Sequence, residues 1–214
     1  MIKIIDYDAG NASSVMRAVE HLGLAAAYAR HPSDLADATH ILLPGVGSAR
    51  ATMDSLREMS LLPALNDAVL CRKVPYLGIC VGLQILFERS DEGDAQCFGW
   101  LKGRVYRFDV GKVRVPQMGW NRVHISESPI NAPQDDYFYF VNSYYAAPDD
   151  ASDIWGTADY DGAFAAAVHR DNIYATQFHI EKSAEAGLAL LSGFLRLGMG
   201  TGTCTCMESE GKGV

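Results

Sequence analysis

The sequence has no apolar run long enough to span a bilayer. Its first residues, Met-Ile-Lys-Ile-Ile-Asp, are too few for the hydrophobic region of a secretion signal. Basic clusters are missing too. Eighteen Lys and Arg stand against 26 Asp and Glu, a formal net charge of −8 with no block of positive charge. That argues against nucleic acid or an anionic membrane as the main partner. Cysteines number five (71, 80, 97, 204, 206), an odd count without framework spacing. A disulfide scaffold is therefore excluded, and a reduced, cytoplasmic setting is expected. Cys204-Thr-Cys206 offers two thiols where structural zinc takes about four ligands, so no metal and no cofactor is expected. Internal repeats and dividing linkers are absent. What remains, 49% hydrophobic and 21% charged over 214 residues, is the composition of one globular domain with room for a proper core.

The hydrophobic pattern of the first half predicts alternating strands and helices. Ile2 to Asp6 reads as a strand buried on both faces. A turn at Gly10-Asn11 leads, with Asn11 or Ser13 as N-cap, into a helix over about Ser14–Leu22, closed by Gly23. Strands are expected at Leu24–Ala29 and His40–Leu43, with a short helical turn after Pro32-Ser33 between them. Helices follow at about Ala49–Glu58 and Leu62–Leu70, with Pro63 in the first turn of the second. The fold class expected is α/β, a doubly wound, mostly parallel sheet. After Ser90 the pattern becomes β-rich, with short segments at Gly103–Phe108, Lys112–Val115, Asn121–Ser126, Tyr137–Val141, Ala163–His169 and Asn172–Phe178. Asp149-Asp150 and Asp171-Asn172 are turn centres. Ser183 is placed to cap a last helix, roughly Ala184–Leu197. Residues 1–197 form the domain, and 198–214, small and polar, read as a disordered tail.

The chain is organised around Val74 to Ser90. Val74 to Ile79 reads as a buried strand, Leu83 to Phe87 as a helix, and Gly78-Ile-Cys80-Val-Gly82 as the sharp turn between them. The spacing is that of a nucleophile elbow with Cys in place of Ser, where small flanking residues let the backbone double back. At a helix N-terminus, free N–H groups and the dipole favour thiolate. The blander reading is a buried structural cysteine, and on this motif alone it stands ahead. A thiolate nucleophile needs a base, and the base an orienting carboxylate. His179 and Glu181, two apart at a strand exit, point to the same side of an extended chain, so Glu181 can fix the tautomer of His179. An ordinary strand-end histidine is again the bland alternative.

Pro44-Gly-Val-Gly-Ser48, Gly78-Ile-Cys-Val-Gly-Leu-Gln84 and Gln177-Phe-His-Ile-Glu-Lys-Ser183, in this order and spacing, resemble the class I (triad) glutamine amidotransferases. Val115-Pro-Gln-Met-Gly-Trp-Asn121 and Tyr139-Phe-Val-Asn-Ser-Tyr-Tyr145 narrow the resemblance to the glutaminase subunits of imidazole glycerol phosphate synthases, over residues 1 to about 197. The resemblance implies that Cys80 attacks the side-chain carboxamide of L-glutamine to give a thioester. His179 then protonates the leaving amine and activates water, and Glu181 holds His179. The oxyanion hole falls to the N–H of Val81 and to the Gly45–Gly47 loop, with Val46 or Gly47 as donor. Gly45, Gln84, Asn142, Ser143 and Tyr144 are implied to bind glutamine.

Three positions depart from the family pattern. Ile180 replaces Pro, while Gln117 and Asn142 stand where His is usual. Carboxamides reproduce one hydrogen bond of an imidazole but cannot titrate near neutrality. The resemblance also implies a separate acceptor enzyme, since one glutaminase-sized domain uses the whole structured chain. That partner is a cyclase of (β/α)8-barrel type, joined as a heterodimer through Gln117, Met118, Trp120, Asn121, Tyr139 and Lys182. For Trp120 and Tyr139, plain core packing is an equal reading. A related subunit serving a sugar amidotransferase in surface polysaccharide synthesis is the alternative customer.

Overall fold

The computed structural model describes residues 1–8, 11–127, 130 and 132–198. Gly10 of the expected first turn lies outside these residues. So does the tail from residue 199 on, with Cys204 and Cys206.

The elements run β1 (Ile2–Ile5), α1 (Ala12–His21), β2 (Ala26–Ala29), β3 (His40–Gly45), α2 (Ala49–Glu58), α3 (Leu61–Asn66), β4 (Tyr76–Cys80), α4 (Val81–Gln84), β5 (Arg89–Ser90) and β6 (Ala95–Gln96). They continue as β7 (Gly103–Arg107), β8 (Gln117–Ile125), β9 (Asp135–Asn142), β10 (Tyr144–Pro148), β11 (Ile154–Asp159), β12 (Ala163–Arg170), β13 (Ile173–Thr176) and α5 (Ala184–Leu195). All strands belong to one sheet. Its parallel part has the order β2-β1-β3-β4-β13, and every residue of β1, β3, β4 and β13 is buried, as the unbroken apolar runs require. Antiparallel strands β12, β10 and β7 extend it, while β11, β8 and β9 branch off as the β-rich second half.

Register explains how distant segments meet. Gly45 is paired with Cys80 across β3 and β4, and Ile79 with Thr176 across β4 and β13. The loop after β3, the turn after β4 and the segment after β13 therefore leave the sheet side by side, at the carboxyl ends of parallel strands where α/β proteins place their sites. A lid is laid over them by β9. The His179 N–H donates to the Tyr139 carbonyl (2.9 Å), and beneath it Phe178 stacks against Phe138 with ring centroids 4.1 Å apart.

Several sequence expectations are corrected. The helix after Cys80 has four residues and does not continue to Phe87. Leu83, Ile85, Leu86 and Phe87 are all fully buried, so their pattern carries no helical face to read. The chain leaves the helix because the Glu88 N–H donates to the Gly103 carbonyl and Arg89 and Ser90 pair with β7. Lys112–Val115 forms no strand. Asp109 gathers the amides of Gly111, Lys112 and Val113 into a turn, and a cis Val115–Pro116 bond follows. The second helical segment ends at Asn66 and widens into a π turn over Asp67–Cys71. Ser183 precedes α5 but does not cap it with its side chain. Its hydroxyl donates to the His179 carbonyl (2.6 Å) and accepts from the Tyr139 N–H (3.0 Å). Strands β5, β6, β10 and β11 carry no signal strong enough to have been expected.

The turn at Cys80 is built on contact. A Cβ added at Gly82 would stand 2.1 Å from the Leu43 carbonyl oxygen, and one at Gly78 would stand 2.3 Å from that of Gly82. Backbone cannot yield at either point. Gly82→Ala is expected to lower stability by about 3 kcal/mol, measured by chemical denaturation. An unfolding curve superimposable on wild type would contradict the close approach.

Candidate active site

Cys80 ends β4 with φ 56° and ψ −105°, a backbone conformation that L-residues rarely adopt, and it is 5% exposed. Such an outlier held in a packed core is typical of a functional turn. The sulfur faces a pocket of about 270 Å³ lined by Val46, Gly47, Cys80, Val81, Gln84, Glu92, Pro116, Val141, Asn142, Ser143, Tyr144, His179 and Lys182.

His179 is buried at the exit of β13 and bonds through Nδ1 to Glu181 Oε1 at 2.8 Å, which leaves Nε2 for Cys80. Burial alone would lower the basicity of this imidazole. Hydrogen bonds to Cys80 and Glu181, and the charges of both, outweigh burial and raise its pKa to about 10. The Glu181 side chain is fully shielded. It does not reach His179 along an extended chain, as the spacing suggested. Residues Ile180–Lys182 make a tight 3-10 turn, closed by the Lys182 N–H on the His179 carbonyl, which folds the carboxylate back onto the ring. Asn11 Nδ2 also approaches Glu181 Oε1, at 3.4 Å. The expected N-cap of α1 thus turns its side chain to the site and leaves capping to its backbone carbonyl, which accepts from Ser14 and Val15.

The loop after β3 is pinned from below. Tyr7 Oη donates to the Pro44 carbonyl (3.0 Å), and burial pushes the Tyr7 phenol up to about 12, which keeps it a donor. Gly45 packs under this hydroxyl and against Val81. Val46, 38% exposed, stands at the pocket mouth. Gly47 has φ 97° with open space around its Cα, so glycine is needed there for its backbone and not for room. Ser48 caps α2 by accepting from the Ala51 N–H, while Glu92 Oε2 accepts from that of Ala49 (2.9 Å).

One carbonyl organises the polar wall. Tyr144 O accepts from Asn142 Nδ2 (3.0 Å) and from Gln84 Nε2 (3.4 Å), and Gln84 Nε2 also donates to Gln177 Oε1 (3.1 Å). These acceptors fix both amide orientations. Gln84 Oε1 and Asn142 Oδ1 are left buried without a partner, as is Gln117 Oε1. Gln117, expected at a partner face, is instead 4% exposed and sits opposite Asn142 across β8 and β9.

Of the other residues assigned to that face, Met118 and Trp120 are 66% and 54% exposed, and Tyr139 packs its ring edgewise on Trp120. Asn121 bonds the Asp159 carbonyl, and Lys182 lies exposed at the pocket rim. Tyr137, 56% exposed on the same ribbon, was not anticipated.

Two groups escaped the sequence reading. Glu92 brings a half-buried carboxyl to the pocket, raised chiefly by burial and held partly down by the Ala49 N–H. Gln177, fully buried, places Nε2 3.6 Å from Cys80 Sγ. Nothing local marks Glu92, which stands in the acidic stretch Asp91–Asp94. Gln177 was visible only as part of the Gln-Phe-His motif. Among the described residues no cluster of His, Cys, Asp and Glu could hold a metal.

The family model of the glutamine amidotransferase class-I proteins matches residues 3–196. The imidazole glycerol phosphate synthase subunit HisH of Methylococcus capsulatus is 43% identical over 209 residues, covering 91% of this chain and 95% of that protein. The same-named subunit of Leptospira interrogans is 39% identical over 204 residues, covering 92% of this chain and all of that one. A solved glutamine amidotransferase superposes with a TM-score of 0.74 at 18% identity, over 92% of this chain and 97% of its own. PurLQS from Thermotoga maritima does so with 0.71 at 18%, over 92% and 97%. At such identity these two establish shared fold. With the family model spanning nearly the whole chain and relatives near 40% identity, this chain belongs to the class I glutamine amidotransferases.

Proposed function

We propose that this chain is the glutaminase subunit of an imidazole glycerol phosphate synthase, releasing ammonia from L-glutamine at Cys80 for a cyclase partner in histidine biosynthesis. The observation that carries the reading is the junction, in one pocket, of Cys80 at its strained turn with the His179–Glu181 pair. The curated relatives bear the name of that subunit and match almost end to end.

The chemistry follows from charge. With its pKa raised to about 10 by Cys80 and Glu181, the resting His179 is an imidazolium beside the Cys80 sulfur, and thiolate is the form that acts as nucleophile. The thiolate attacks the side-chain carboxamide carbon. The oxyanion formed meets the Val81 N–H and, once the loop peptide turns inward, a donor from Val46 or Gly47. His179 passes its proton to the departing nitrogen, and ammonia leaves. Water then gives its proton to His179 and attacks the thioester, and glutamate is released with the sulfur again anionic. Glu92 is the one carboxylate lining the pocket among the described residues, so it suits the α-ammonium of the substrate. The free oxygens of Gln84 and Asn142 suit its remaining N–H groups.

Ammonia protonated by water is no nucleophile, so its use requires delivery along a shielded path. The partner we assign is a (β/α)8-barrel cyclase forming a heterodimer over the exposed β8–β9 ribbon. Met118, Trp120 and Tyr137 are the residue types enriched at interface centres.

Cys80→Ala is expected to abolish glutamate release by the assembled complex and leave ammonia-dependent synthesis by the partner intact. Assaying both reactions on the same preparation checks this. Joint loss would make the chain a scaffold.

Activity also has a pH signature. The proton on His179 in the free enzyme is lost only as pH rises through about 10, so the alkaline limb of kcat/KM stands well above the ordinary imidazole range. Glu181→Gln removes one of the two anionic causes of the raised value. The limb should move to lower pH, and kcat should fall about a hundredfold or more. The same pairing stabilises the fold fully below the unfolded imidazole value of 6.5, an effect lost as pH climbs through about 10. A limb unmoved in the variant would dissociate Glu181 from the base.

A further inference from the structure

Gln177 leaves β13 one residue after Thr176, with its backbone N–H spent on the Ala166 carbonyl (2.8 Å). Its side chain is wholly buried and bridges two site groups, accepting from Gln84 Nε2 at 3.1 Å and lying 3.6 Å from Cys80 Sγ through Nε2. The orientation is forced. Gln84 turns its NH2 toward Tyr144 O, so the atom of Gln177 that meets Gln84 is an oxygen and the atom that meets the sulfur is an NH2. A neutral thiol or thioester sulfur accepts such a bond weakly, whereas a thiolate accepts it strongly.

We infer that Gln177 is a catalytic donor specific to the second half of the reaction, stabilising the Cys80 thiolate as the leaving group when the glutamyl thioester is hydrolysed. The inference rests on the glutaminase reading above. In the first half, negative charge leaves the sulfur as the S–C bond forms, so a donor at Sγ gives the attack no help. In the second half, a water proton goes to His179 and the water oxygen bonds the acyl carbon. The C–S bond then breaks with its electron pair returning to Sγ. The Gln177 N–H bond strengthens along that step and is fully made in its product. Because the same amide accepts from Gln84, a residue that lines the pocket, the substrate wall and the leaving sulfur are positioned by one side chain.

The test compares wild type and Gln177→Met in the synthase complex with labelled L-glutamine, measuring kcat, KM and acid-stable label on the protein. Loss of the donor should slow deacylation about tenfold. Then kcat and KM fall together, kcat/KM stays within about twofold, and thioester accumulates in the steady state. A merely structural role would lower kcat/KM and leave no label. That result, or kinetics equal to wild type, overturns the inference. Should Gln177→Met not fold, Gln177→Asn keeps a buried amide but is one methylene short of the sulfur, and the same split is required of it. A wild-type complex that releases no glutamate and takes up no label overturns both this inference and the function beneath it.

Discussion

The whole site depends on a backbone that turns where it should not. Cys80 holds φ 56° and ψ −105°, at a cost of about 1–3 kcal/mol for a residue with a side chain. What confines it is packing on every side. Strand β4 lies between β3 and β13, and the turn is closed by glycines where a Cβ would strike a backbone carbonyl. The geometry leaves the sulfur at the end of the strand, buried and lining the pocket. The four-residue α4 is too short for a developed macrodipole, so the sulfur's polar surroundings come less from a helix than the motif suggests and more from the side chains facing it.

Those side chains form a closed electrostatic circuit. A buried charge survives only if paired and hydrogen-bonded. Here the sulfur faces His179 and Gln177, His179 faces Glu181, and Glu181 faces Asn11 from the start of α1. The members come from three segments, Asn11 before α1, Cys80 at the end of β4 and Gln177 to Glu181 after β13, and the parallel register brings these segments together before any side chain is considered. Ser183 completes the frame by joining the His179 carbonyl to β9, so the imidazole's backbone is tied to the ribbon that carries the exposed Met118 and Trp120. A rigid-body shift of that ribbon is therefore mechanically linked to His179.

How much of this could be read beforehand depended on whether the signal was local. The parallel half was legible because buried strands such as Ile2–Ile5 and Tyr76–Cys80 are continuous apolar runs between helices with clear faces. Cys80, His179 and Glu181 could be named as candidates because their spacing falls within two short motifs, and the fold brings the three together. The reading of α4 failed because Leu83 to Phe87 is buried on all sides, and a run without a polar face cannot show its period. Asn11 and Ser183 read as helix caps, since nothing in one sequence distinguishes a side chain bent to its own backbone from one bent across 170 residues of chain to Glu181. Glu92 and Gln177 were missed for a related reason: a carboxyl among other acids and an amide within an apolar strand exit acquire meaning only from what the fold sets opposite them.

The paired amides at 117 and 142 follow from the same electrostatics. They face each other across β8 and β9 at the two positions where the resemblance implies imidazoles, both buried, each with an oxygen lacking a partner. An imidazole at 142 would place a second titratable cation on the wall of a pocket whose function is to hold one proton on one ring. Its charge would oppose that of His179 and compete for the sulfur. Carboxamides remove that competition and cannot titrate near neutrality. The pocket then carries a single imidazole, His179, and its protonation is set by Cys80 and Glu181 alone against burial.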